Sequence, residues 1–186
     1  FDIVPQRGHV PPAHGAKTSG ELSVMGPLAR SVDDLELAFD VTVGLDEQPG
    51  SGLRLELPSS AVDSPKQLRV GLWLGDDFCP VDTEIRAGIE QAARSLEAMG
   101  AQVEEAKPTF SLAEHHETYL MNLSPIIAAG FGPDEIAMME RIAAASSPDD
   151  KSQTALQARG SVLAHREWFL WNEIRAHLAE QWRAFF

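Results

Sequence analysis

The sequence is short of cysteine, of positive charge and of long apolar runs, and each shortage excludes a class of protein. Its one cysteine, Cys79, cannot form an intrachain disulfide and has no companions at the spacing of a zinc site. Fifteen basic against 28 acidic residues give a net charge of −13, which repels phosphate backbones and anionic membranes. No apolar run approaches the roughly 18 residues of a spanning helix. We therefore expect a cytoplasmic protein with no metal, no membrane and no nucleic-acid partner.

What is present is the composition of a globular protein, with strand and helix patterns in alternation. Hydrophobic residues make up 44% of the 186, enough for one core. Leu68 to Leu74 alternates as a strand does, a helical stripe capped by Asp82 ends at Gly100, and Ala101 to Ala106 has the pattern of a second strand. Strand, helix and strand in this order predict a βαβ unit with parallel strands. The fold class is therefore α/β, with the unit belonging to a larger mixed sheet.

Helical patterns flank this unit on both sides. Ser31 to Val43 is predicted to be a helix, with Ser31 and Asp34 at capping-box spacing and Gly44 as its C-terminal cap. Beyond Pro108 we predict helices over Leu112 to Ala129, Asp134 to Ala145 and a long segment from Ser152 toward Phe186, with Gly160 as the candidate for a kink. We treat 1–186 as one partial domain, comprising a loop and helix (1–44), a connection (45–66), the βαβ unit (67–107) and a helical layer (108–186).

The turn before the first helix resembles a known family. Gly26-Pro27-Leu28-Ala29-Arg30 leads into Ser31-Val32-Asp33-Asp34-Leu35, and Gly44 follows. This is similar to the amidase-signature family, in which a Gly-Pro-hydrophobic-Ala/Thr-Arg turn leads into a helix that ends in glycine. Val4 to Pro12 is similar to the family's preceding loop, and Leu68 to Leu72 to its next strand. We interpret Gly26, Pro27, Arg30 and Asp34 as a structural motif, in which Arg30 orders the turn through Asp34 or backbone groups.

The resemblance implies an amide hydrolase that acts on small-molecule amides without a metal or organic cofactor. In that family a serine nucleophile, a second serine with a cis peptide bond and a lysine base all precede the turn. None can be matched here, because Ser59-Ser60 and Ser146-Ser147 are the only serine pairs and neither is flanked by glycine. We therefore expect a carboxyl-terminal fragment, cut from a longer protein and inactive by itself.

The family also suggests where substrate would be contacted. The corresponding region of its members supplies apolar side chains to the acyl or leaving-group pocket, which points to the helix Glu117 to Ala129. Tyr119, Asn122 and Leu123 are the candidate substrate-binding residues, with plain core packing as the alternative for each.

Other interpretations remain open beside the amidase. One is a non-catalytic α/β module that binds a ligand or protein at the edge of the sheet, and a weaker one is a receiver-like domain in which Asp76-Asp77 binds magnesium. His115-His116-Glu117 does not make a zinc-protease helix, because Leu120 stands where the second histidine is needed. An excised sheet would expose strand edges, so we also expect a homo-oligomer through that edge.

Overall fold

A computed structural model describes residues 3–6, 22–45 and 52–186. Two compact units, Phe1–Ser59 and Ser60–Phe186, make up the chain and are described separately. Within the described residues there are six α-helices and two β-strands. In chain order they are α1 (Val32–Thr42), β1 (Arg69–Leu72), α2 (Thr83–Ala98), β2 (Gln102–Glu105), α3 (Leu112–Ala128), α4 (Pro133–Ala145), α5 (Gln153–Ser161) and α6 (His165–Phe185). No helix among these residues is long and apolar enough to cross a membrane.

The first unit contains α1, whose start agrees with the sequence and whose end does not. The Ser31 hydroxyl caps the helix by accepting a hydrogen bond from the Asp34 N–H at 3.1 Å, as predicted. The predicted C-terminal cap at Gly44 is wrong. Val43 ends the helix in an extended conformation, and Gly44 instead donates its N–H to the carbonyl of Ile3 at 2.9 Å. The predicted loop from Val4 to Pro12 lies mostly outside the described residues.

The second unit begins with the βαβ unit, which is confirmed. β1 and β2 pair in parallel, from Arg69 opposite Gln102 to Leu72 opposite Glu105. The Asp82 carboxylate caps α2 by accepting from the Glu84 N–H at 2.8 Å. Beyond the other end of α2, Gly100 has φ +98°, a left-handed conformation that suits glycine. Only these two strands are paired within the described residues, so the larger mixed sheet stays a prediction.

The helical layer follows, but the predicted long final helix is two helices. α5 ends at Ser161 and α6 begins at His165, so the chain breaks over residues 162–164. The Ala164 N–H donates to the Glu167 carboxylate at 3.0 Å, which closes the first turn of α6. Gly160 does not mark a kink, because it lies inside α5 and serves helix packing instead.

The core of the second unit lies where α3 meets α5 and α6. Leu156 and Ala158 of α5 are 1% and 0% exposed, and Asn122 of α3 is 1% exposed. A Cβ atom on Gly160 would lie 2.8 Å from the Cβ of Ser124, closer than such atoms approach. Glycine at this position therefore allows α5 to pack closely against α3, and this crossing shapes the pocket described below.

Candidate functional site

Helix α3, which the family resemblance singles out, is mostly buried. The Ser111 hydroxyl caps it by accepting from the Glu114 N–H at 3.3 Å. Its buried residues are Thr118, Leu120, Met121, Asn122, Ser124 and Ala128. Pro125 lies near its end, where it removes one backbone donor but does not stop the helix. α3 is therefore a fixed wall against which side chains of α4, α5 and α6 are positioned.

The three candidate substrate-binding residues have different environments on α3. Tyr119 is 50% exposed, Leu123 is half-buried, and Asn122 is buried. The Asn122 amide donates to the carbonyls of Thr118 at 2.8 Å and of Trp171 at 3.1 Å, which joins α3 to α6. None of the three lines the cavities described below. Their role in substrate binding stays a prediction.

One stripe of α3 carries buried polar atoms that have no hydrogen-bond partner among the described residues. They are Nε2 of His115, Oγ1 of Thr118 and Oδ1 of Asn122. The other ring nitrogen of His115, Nδ1, lies 2.9 Å from the carbonyl of Ser111. The imidazole stacks on Phe110, with 4.7 Å between ring centroids, and meets the edge of Trp182 at 5.9 Å. These contacts hold the His115 ring in an aromatic cluster.

An apolar pocket of about 230 Å³ lies between α3, α4 and α5. Its lining residues are Ser124, Ile127, Phe131, Met138, Met139, Ile142, Thr154, Gln157 and Ser161. None of these carries a charge, so the pocket suits a neutral ligand. Ser124 and Ile127 belong to α3 and lie just beyond the residues predicted from the family. No sequence pattern points to these two, because the pocket depends on how closely α5 approaches.

A larger and more polar cleft of about 600 Å³ lies at the carboxyl ends of β1 and β2. Lys107 Nζ lies 2.7 Å from the Asp76 carboxylate across this cleft. The ammonium of Lys107, and then the N–H of Phe78, lower the pKa of Asp76, while Asp76 raises the pKa of Lys107. Because the carboxyl ends of parallel strands share one edge, this pair could have been predicted from the sequence.

The alternative interpretations find little support in this geometry. Within the described residues, no group of His, Cys, Asp and Glu side chains could hold a metal ion. Asp76 pairs with Lys107, and Glu117 pairs with Lys151, so each of these carboxylates already has a cationic partner. Cys79 is exposed and free. The magnesium and zinc interpretations therefore have no site in this part of the chain.

The motif residues before α1 lie on the surface of the first unit. Leu28, Ala29 and Arg30 are exposed, and Leu28 is 100% exposed. Among the described residues no ion pair joins Arg30 to Asp34; the backbone of Asp34 is held by Ser31 instead. The turn is thus ordered by the serine cap rather than by the arginine.

The serine hydroxyls that are hydrogen-bonded in the described part of the chain serve structural roles. Those of Ser95, Ser146 and Ser161 donate to backbone carbonyls one turn earlier, and those of Ser31 and Ser111 cap helices. None is hydrogen-bonded to a lysine or histidine side chain in residues 3–6, 22–45 and 52–186. The arrangement that activates a serine nucleophile is not formed there.

The fold and its motif define an α/β protein with the turn of an amide hydrolase, and comparison with known proteins identifies the family. The amidase family model matches residues 3–180, so the chain belongs to the amidase family. No solved structure matches it.

Several curated relatives are similar over parts of their length. Indoleacetamide hydrolase of Bradyrhizobium japonicum is 32% identical over 109 residues, which cover 55% of this chain and 23% of that protein. The putative amidase AmiB2 of Mycobacterium tuberculosis is 27% identical over 186 residues, covering 94% of this chain and 38% of that protein. One component of the glutamyl-tRNA(Gln) amidotransferase of Enterococcus faecalis is 31% identical over 93 residues, covering 47% and 18%. The chain thus spans less than two fifths of each of these relatives.

Proposed function

We propose that this chain is the non-catalytic part of an amidase that cleaves small-molecule amides with a serine nucleophile, and that alone it hydrolyses no amide. The observation that carries this proposal is a pairing of two facts. The amidase family model matches residues 3–180, yet no serine among the described residues is hydrogen-bonded to a lysine or histidine side chain.

The chemistry explains why such a chain would be inactive. A serine hydroxyl is a weak nucleophile until a positioned base removes its proton and donors stabilise the oxyanion. The serines whose hydroxyls are hydrogen-bonded serve as helix caps or bond to backbone groups, which gives them no base. The Lys107 ammonium is paired with Asp76, and its raised pKa keeps it protonated, so it is a poor base near neutral pH.

The test compares this chain with a longer polypeptide that includes the preceding coding sequence. Each is incubated with benzamide, and released ammonia is measured. We expect turnover by the longer polypeptide and none by this chain. Turnover by this chain that persists through repurification and disappears with a serine-directed inhibitor would overturn the proposal. Inactivity of both would favour the alternative, a binding module that uses the cleft at the carboxyl ends of β1 and β2.

We also propose that the unpaired sheet edges make the chain self-associate. β1 and β2 pair only with each other among the described residues, and a free strand edge is a template for pairing with a second copy. Sedimentation velocity over a range of protein concentrations tests this. A monomer at every concentration would refute it.

A further inference from the structure

The pocket between α3, α4 and α5 has the properties of a small-molecule site. We propose that it binds a single aromatic ring that carries one hydrogen-bonding group, such as phenol. This inference is independent of catalysis, since binding to the pocket requires no turnover.

The character of the lining selects an apolar, uncharged ligand. Five of the nine lining side chains are apolar, namely Ile127, Phe131, Met138, Met139 and Ile142. The other four are serine, threonine and glutamine, so no charge is available for an ionic ligand. The two methionines add flexible, polarizable surface that adapts to a ring and contacts its edge favourably.

The size of the pocket matches one ring with a substituent. Its volume of about 230 Å³ exceeds the roughly 150 Å³ of a dry apolar cavity that is known to hold benzene in another protein. Ile127 and Met138 are 51% and 49% exposed, so they stand at the entrance and leave a route for entry. A long acyl chain or a fused polycyclic ligand would not fit without displacement of the helices.

A buried hydroxyl explains why the ligand would carry a polar group. Ser124 is 4% exposed and lines the pocket, and its hydroxyl forms no hydrogen bond among the described residues. By contrast, Ser161 in the same pocket donates to the Gln157 carbonyl at 2.8 Å. A buried hydroxyl without a partner is unfavourable, and a ligand hydroxyl in the pocket would supply one. The close approach of Gly160, whose Cβ would lie 3.1 Å from the Ser124 hydroxyl oxygen, leaves little room for another protein group there.

The experiment measures binding of phenol and of toluene to the full chain by saturation-transfer NMR titration. The first variant, Ser161→Phe, fills the pocket with a ring. Its matched control is Ser95→Phe on α2, because the Ser95 hydroxyl also donates to a carbonyl one turn earlier, at 3.0 Å from Gln91. We expect phenol binding to be lost in Ser161→Phe and retained in Ser95→Phe.

The second variant, Ser124→Ala, is conservative and keeps the fold. It should weaken phenol binding by about 2- to 10-fold, the value of one neutral hydrogen bond, and leave toluene binding unchanged. Circular dichroism and thermal melts check that each variant is folded. The proposal is overturned if the wild-type chain shows no saturation transfer to phenol, or if folded Ser161→Phe binds phenol as well as the wild type. Equal loss of phenol and toluene in Ser124→Ala would refute the role of the hydroxyl.

Discussion

The motif-bearing segment of the first unit and the helical layer of the second differ in a way that separates recognition from stability. α1 and the turn before it carry the family pattern, yet α1 buries no residue and Leu28 is fully exposed. The helical layer has no diagnostic motif, yet it contains the most completely buried side chains, Leu156 and Asn122 among them. The residues that identify the family are therefore not the ones that stabilise the fold.

The largest test of this contrast removes core volume. Leu156→Ala should lower the free energy of unfolding by about 2–5 kcal/mol, because it leaves a cavity between packed helices. Leu28→Ala in the family turn should change it by less than about 0.5 kcal/mol, as exposed substitutions do. Urea unfolding followed by tryptophan fluorescence measures both. Equal losses would show that the turn contributes as much to stability as the core does.

The next test addresses the helix crossing. Gly160→Ala should destabilise the chain by about 1–3 kcal/mol, because its methyl group would overlap Ser124. Gly88→Ala on α2 is the matched control: nothing lies within 4 Å of the added atom, and the change should stabilise the helix by about 0.5–1 kcal/mol. Opposite signs in thermal melts are expected. A neutral Gly160→Ala would mean that α3 and α5 can separate freely.

Helix caps give a smaller contrast between the two units. Ser111→Ala removes the cap of the buried α3 and should cost about 1 kcal/mol in urea unfolding. Ser31→Ala removes the same kind of cap from α1, and we expect local fraying instead, seen as faster amide hydrogen exchange over residues 34–36. If both variants lower the unfolding midpoint alike, α1 is part of the cooperative core.

The smallest effect concerns pH and the Asp76–Lys107 pair. The lowered pKa of Asp76 gives a contribution that is present above its ordinary pKa of about 3.9 and is lost as pH falls through the folded value. The raised pKa of Lys107 gives one that is present below about 10.4 and is lost as pH rises further. Asp76→Asn should therefore reduce stability slightly near neutral pH, while Asp77→Asn, with the same charge change, should not. Urea midpoints measured across this range decide the matter.

What could be predicted from the sequence was local chemistry. The serine cap of α1, the aspartate cap of α2 and the glycine after it each depend on residues a few positions apart, and all three are present. The end of α1 depends on a bond from Gly44 to Ile3, far away in sequence, and no local pattern reveals it. The apolar stripe from Leu156 to Phe185 keeps its helical period across residues 162–164, so it hides the break between α5 and α6.

The candidate site was less predictable than the fold for a related reason. Sequence and family resemblance indicated the helix α3, which does line the pocket, but the pocket forms where Gly160 brings α5 against it. A glycine in a helical pattern has the same appearance whether it bends the helix or admits a neighbour. Only the packed structure distinguishes Ser124 and Ile127, which line the pocket, from Tyr119 and Leu123, which do not.

The buried amide of Asn122 has a consequence for how uniquely the helices are arranged. It donates to the carbonyl of Trp171, so α3 and α6 are held at one relative position along their axes. Apolar side chains alone would tolerate a slide of one helix past the other, because hydrophobic contact has little direction. A polar group in an apolar interface penalises every alternative alignment in which it loses its partner. Asn122 thus favours a single alignment of the bundle over its near neighbours.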